Sequence, residues 1–160
     1  SRGTLHSENT SHGQAYCRVV RTSGSTFAIK TDKVYISPTG GYYASVALRP
    51  ESSDAYGSYK LTVDFYDANN NLIVVYTDNL TGRYTTSATD ETGAANTVST
   101  TAARNKSITI NETARWAYLA NTFAVSSITG ASYAILTVTC TPDAVVSGQA
   151  FHIDRVVFRQ

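Results

Sequence analysis

The chain has 160 residues, 42% of them hydrophobic and only 16% charged, with a formal net charge of +1. That length suits one domain with an ordinary hydrophobic core and is too short for two. A near-neutral chain without a Lys/Arg cluster lacks the electrostatic footprint of a nucleic-acid binder, and its short apolar runs fall far below the length of a membrane-spanning helix.

Eleven tyrosines, with Thr, Ser and Val filling much of the remainder, favour strands over helices, so the fold class expected is all-β. Residues 1–13 are polar and aperiodic and read as an arm or linker, leaving 14–160 as a single domain. The chain begins with Ser and contains no Met, the pattern of a processed chain or of one domain of a longer one. Strands are expected at 15–21 and 26–30, joined as a hairpin by Thr22-Ser-Gly-Ser. Pro38, Gly40 and Gly41 break the next strand, which restarts at Tyr42 and runs to Arg49. Alternation sets Val46 and Leu48 inward and puts Tyr43, Ser45, Ala47 and Arg49 on the opposite face. The strand at 59–67 alternates most cleanly, with Leu61, Val63 and Phe65 on one side and Lys60, Thr62, Asp64 and Tyr66 on the other.

Asp67-Ala-Asn-Asn-Asn71 is a tight turn of residues that tolerate left-handed backbone, and 72–76 returns as the partner strand of a hairpin. Residues 85–105 are small and polar with almost nothing to bury; a loop of that length reads as a contact or mobile region. Strands follow at 108–110, 116–125 and 133–140. In the last stretch, 149–159, Phe151 and Ile153 alternate with His152 and Asp154 before an apolar run from Val156 to Phe158. Such a strand belongs in the middle of a sheet. About ten short strands without helical periodicity indicate a β-sandwich jelly roll of two antiparallel sheets.

Little in the sequence points to catalysis. His6, His12 and His152 are scattered, no Gly-x-Ser-x-Gly or phosphate loop is present, and the twelve acids form no pair at a shared strand end, so no enzyme is expected. Asp67-x-Asn69-x-Asn71 imitates the start of a calcium loop, but Leu72 stands where glycine is needed. Cys17 and Cys140, the only cysteines, are expected as buried reduced thiols.

The order of several short patterns resembles a known family. Gly13 precedes an Ala-Tyr-x-Arg-Val strand, and a strand–Pro–Gly–Tyr-Tyr-x-Ser-Val break runs from Val34 to Val46. A Leu-Thr-Val-x-Phe-Tyr-Asp hairpin starts at Leu61, Trp116 leads into a Thr-Phe-x-Val strand, and Phe151-His-Ile-Asp-Arg-Val156 closes the chain. Together, from Gly13 onward, they resemble the jelly-roll carbohydrate-binding modules attached to xylanases and cellulases, a module similar to domains of bacteriophage tail and fibre proteins.

The resemblance implies a non-catalytic module. A virion role comes first, in a tail, fibre or capsid decoration that attaches to host-surface glycan or docks to other virion proteins. The alternative is the carbohydrate-binding module of a secreted polysaccharide hydrolase. Surface polysaccharide or virion proteins are then the partners, with a homo-oligomer as a third, purely structural option. In sugar-binding members, rings on an open sheet face stack on the CH groups of a pyranose while polar neighbours fix its hydroxyls. Here that implies Tyr43, Arg49, Lys60, Asp64, Tyr66 and Tyr118 on one face, with Trp116 packing in or near the core. Family members also hold a structural Ca2+ between an N-terminal carboxylate and the Asp of the closing strand, implying Glu8 and Asp154.

Overall fold

The computed structural model describes residues 3–6, 16–37, 39–73, 79–85, 98–99 and 105–160. Its strands are β1 (Gly3–His6), β2 (Tyr16–Val20), β3 (Phe27–Lys30), β4 (Val34–Tyr35), β5 (Tyr42–Pro50), β6 (Gly57–Tyr66) and β7 (Leu72–Ile73). After these come β8 (Asn79–Thr85), β9 (Val98–Ser99), β10 (Asn105–Ile110), β11 (Trp116–Phe123), β12 (Tyr133–Pro142) and β13 (Ala150–Arg159). All pairings among them are antiparallel.

Two sheets result. A six-stranded sheet has the order β1-β2-β13-β5-β11-β8, and a seven-stranded sheet has the order β3-β12-β6-β10-β9, with β4 added on β12 and β7 on β6. The fold is therefore the expected all-β sandwich. The closing strand β13 sits between β2 and β5 in the middle of its sheet, as its run of apolar residues requires.

Period-2 patterning builds the core. Val46 and Leu48 of β5 and Leu61, Val63 and Phe65 of β6 all point inward and are buried, as alternation predicts. Aromatic rings cross the gap between sheets: Phe65 meets Phe123 edge-on at 4.9 Å, and Phe151 meets both Tyr59 and Phe27 at 5.3 Å. Tyr59, sealed from water, donates its hydroxyl to the Ala55 carbonyl at 2.6 Å, which satisfies a phenol that could not otherwise be buried cheaply. That burial drives its pKa far above the ordinary tyrosine range.

Three expectations need correction. The hairpin expected from 15–30 does not form: β2 pairs with β13 and β3 pairs with β12, in opposite sheets. Residues 21–26 cross the sandwich instead of reversing within a sheet, and Val19 and Phe27 enter one core from opposite sheets. The polar arm contributes a strand, β1, paired with β2 at the edge of the six-stranded sheet, where polar residues are tolerated. Within the expected loop 85–105, Val98–Ser99 pairs with β10; residues 86–97 and 100–104 lie outside the described residues, as do 74–76 of the expected return strand.

Replacing Phe151 with Ala should destabilise the fold by about 3–5 kcal/mol, the range for a fully buried aromatic. The check is urea unfolding; a loss below about 1 kcal/mol would mean that the two sheets close on each other without that ring.

Candidate functional site

The six residues expected to share one face are divided between two. Tyr43, Arg49 and Tyr118 point out from β5 and β11 of the six-stranded sheet, while Lys60, Asp64 and Tyr66 point out from β6 of the other. Alternation assigned inside and outside correctly in each strand. It contains no information about which sheet a strand joins, so two outward sets on opposite sides of the sandwich merged into one.

The first set lies on a face that closes over itself. Ser45 and Ala120 pair between the pairs Tyr43–Thr122 and Ala47–Tyr118, and the phenol hydroxyls of Tyr43 and Tyr118 share a hydrogen bond above them. Tyr118 is left 1% exposed and Arg49 8%. Trp116 is buried here too, on the outer side of the sheet, in a small cluster with Tyr16 and Ala47. The Arg49 guanidinium lies 5.0 Å over the Trp116 ring and 3.4 Å from His152 Nδ1. Burial lowers the Arg49 pKa, partly offset by Tyr16, though arginine stays charged at any ordinary pH. Beside it, Arg18 makes a two-pronged ion pair with Glu51 at 2.8 and 2.6 Å, which raises the Arg18 pKa further.

The second set borders an open aromatic row. Tyr35 of β4, Tyr133 of β12, Tyr66 of β6 and Leu72 of β7 stand directly opposite one another across four strands. Tyr133 stacks on Tyr66 at 5.0 Å and meets Tyr35 edge-on at 6.3 Å. Tyr35 is 78% exposed and Leu72 42%. The rest of this outer face is mostly polar: Asp64, Thr62, Lys60 and Ser58 continue down β6, with half-buried Ile135 and then Thr137, Thr139 and Thr141 of β12 beside them.

Tyr133 is the fixed centre of the row. Its hydroxyl donates to Asn70 Oδ1 at 3.0 Å, Lys33 Nζ donates to the same oxygen at 2.9 Å, and that ammonium also lies 4.3 Å over the Tyr133 ring. Asn70 is held in place by the expected tight turn, where it adopts the left-handed conformation at φ 66°. Asp67 ties that turn together, accepting from the backbone N–H groups of Asn69 and Asn71 at 2.8 Å and from the Asn71 side chain at 3.0 Å. Those bonds, the Asn71 side chain first, lower the Asp67 pKa. Tyr35, Tyr133, Leu72, Asn70 and Lys33 were missed from the sequence. Alternation could assign the strand residues Tyr35, Tyr133 and Leu72 outward, but their alignment into one row, and the approach of Asn70 and Lys33 from a turn and a loop, depend on which strands pair.

Of the two residues expected at a calcium site, Glu8 lies outside the described residues. Asp154 is half-buried on β13, with Oδ1 accepting the Arg155 N–H at 2.6 Å. Among the described residues no three His, Cys, Asp or Glu side chains gather to hold a metal. Cys17 and Cys140 are free thiols on strands of opposite sheets; burial pushes the Cys140 pKa up to about 11 and raises that of Cys17.

No protein-family model and no curated protein matches the chain in sequence. Among solved structures, it matches over 99% of its length the CBM22-1–GH10 part of endo-1,4-beta-D-xylanase 10B from Clostridium thermocellum, solved with xylohexaose. Identity is 14% and the TM-score 0.54, and the chain spans 24% of that protein's length. A candidate sugar-binding protein from Bacteroides thetaiotaomicron matches over 99% of this chain and 82% of its own, at 10% identity and a TM-score of 0.43, too slight a likeness to argue from. The xylanase likeness shows a shared fold, a β-sandwich, and leaves function to be argued from the site.

Replacing Asp67 with Ala should lower the melting temperature at neutral pH. The folded-state pKa of Asp67 lies below its unfolded value, so its contribution is complete above about pH 4 and is lost as pH falls through the folded pKa. Melting curves of both proteins should therefore converge in acid; a constant gap down to pH 2 would show that the carboxylate charge is irrelevant to the turn.

Proposed function

We propose that the chain is a non-catalytic carbohydrate-binding module that holds a polysaccharide against the outer face of the seven-stranded sheet, in the setting of a secreted polysaccharide hydrolase. The observation that carries this reading is the row Tyr35–Tyr133–Tyr66–Leu72, apolar and partly open to solvent on a face that is mostly polar. A pyranose presents CH groups on one face and hydroxyls around its rim. Open tyrosine rings receive the first, and hydroxyl, amide and charged side chains such as Asn70, Asp64 and Lys60 receive the second.

The likeness to a xylanase that carries a carbohydrate-binding module supports this setting and gives no support to the virion role expected first from the sequence. Xylan heads the substrates to try, because the xylanase structure holds xylohexaose. The closed face of the other sheet provides the control. Buried Ser45 Oγ and Thr122 Oγ1 have no hydrogen-bond partner there, so a ligand on that face would involve Tyr43 instead.

Retention on a panel of insoluble polysaccharides, xylan first, tests the reading. Tyr35→Ala and Tyr66→Ala should each weaken binding about tenfold or more, a loss of at least about 1.4 kcal/mol, while Tyr43→Ala leaves it unchanged. Retention by no polysaccharide would remove the function, and loss confined to Tyr43→Ala would move the site to the six-stranded sheet.

A further inference from the structure

A cavity of about 270 Å³ opens between the two sheets, apart from the tyrosine row. Its depth is apolar: Ile29, Leu61, Leu136, Val138 and Ile153, with the half-buried thiol of Cys17 beside them. Lys30, Asp154 and Arg155 stand at the more exposed end. Packed interiors contain few voids larger than a water molecule, and a dry apolar cavity of about 150 Å³ already takes a benzene ring.

The backbone explains why the gap exists. Between Asp154, opposite Ala47, and Val157, opposite Ser45, β13 carries one residue more than its partner, with Arg155 in the left-handed region at φ 47°. Such a bulge bends a strand away from its sheet: regular alternation after Ile153 would turn Arg155 toward this gap, yet Arg155 is only half-buried and Val156 beside it is 47% exposed. Nearby, the ladder between β3 and β12 ends at Lys30–Thr137.

We propose that this cavity binds a medium-chain aliphatic carboxylate, its carbon chain between the sheets and its head group at the mouth. The aliphatic lining selects the chain, and two cations against one carboxylate at the mouth select an anionic head. The site is separate from the tyrosine row and does not depend on the carbohydrate reading.

Sodium octanoate is the probe, titrated into the full chain while methyl NMR signals of Ile29, Leu136, Val138 and Ile153 are followed. Saturable shifts concentrated in those methyls are expected, together with alkylation of Cys17 slowed about tenfold at saturation, which corresponds to occupancy near 90%. Octanol should bind more weakly than octanoate. Val138→Phe fills the cavity and should abolish the shifts while keeping or raising the melting temperature. Should that variant not fold, Cys17 protection in the unaltered protein decides the matter. Absent shifts at millimolar octanoate, shifts spread over the whole surface, or undiminished Cys17 alkylation would overturn the proposal, and octanol binding as tightly as octanoate would overturn the anionic head.

Discussion

Burial of β13 is the constraint from which the remaining architecture follows. Hydrogen-bonded on both sides, to β2 and β5, this strand cannot satisfy its backbone at an edge. It projects Phe151 across the gap to meet Tyr59 and Phe27 of the opposite sheet. One side chain thereby contacts strands from both layers, and its burial is worth about as much as any in the molecule. Because β13 ends the described chain, the six-stranded sheet is complete only when the last ten-residue strand is inserted between two earlier ones. Most of the sheet's contacts are therefore distant in sequence, a topology associated with slow folding.

The two outer faces solve the problem of surface aromatics in opposite ways. On the six-stranded sheet, rings and cations satisfy each other: Tyr43 with Tyr118, Arg49 with Trp116, Arg18 with Glu51. The face is rich in the residue types that recognise ligands, yet its polar and aromatic capacity is spent largely within the fold. On the seven-stranded sheet the arrangement stops short of closure. Tyr133 receives a stacked ring, an ammonium and an amide oxygen, while its neighbours at the ends of the row remain open. An ordered centre with open flanks loses little side-chain freedom on binding, which is the physical meaning of preorganisation.

Much of the fold was legible because alternation is a local property. The inward set of β5 and β6, the Asp67–Asn71 turn and the central place of β13 all follow from residues within a few positions of one another. What required the structure was long-range pairing. Thr22-Ser-Gly-Ser has the composition of a hairpin turn, yet β2 and β3 prefer partners more than a hundred residues away, because inter-sheet packing of Val19 and Phe27 outweighs local turn preference. For the same reason Tyr66 was placed with Tyr43 rather than with Tyr35 and Tyr133. The composition of a binding face was visible, but its membership was decided by register.

The extra residue in β13 also does arithmetic for the strand. Phe151 and Ile153 are odd-numbered and face the core, and so does the even-numbered Phe158, which stacks on Tyr42 at 5.0 Å and approaches Phe65. In an uninterrupted strand, odd and even positions could not share a face. The bulge at Arg155 and Val156 inverts parity midway, so both ends of one strand deliver rings to one core. Straightening that stretch with both residues kept would therefore act at a distance, turning Phe158 into solvent and Val157 inward, whereas deleting one of the two would leave a regular strand in the same register with β5 and Phe158 still facing the core.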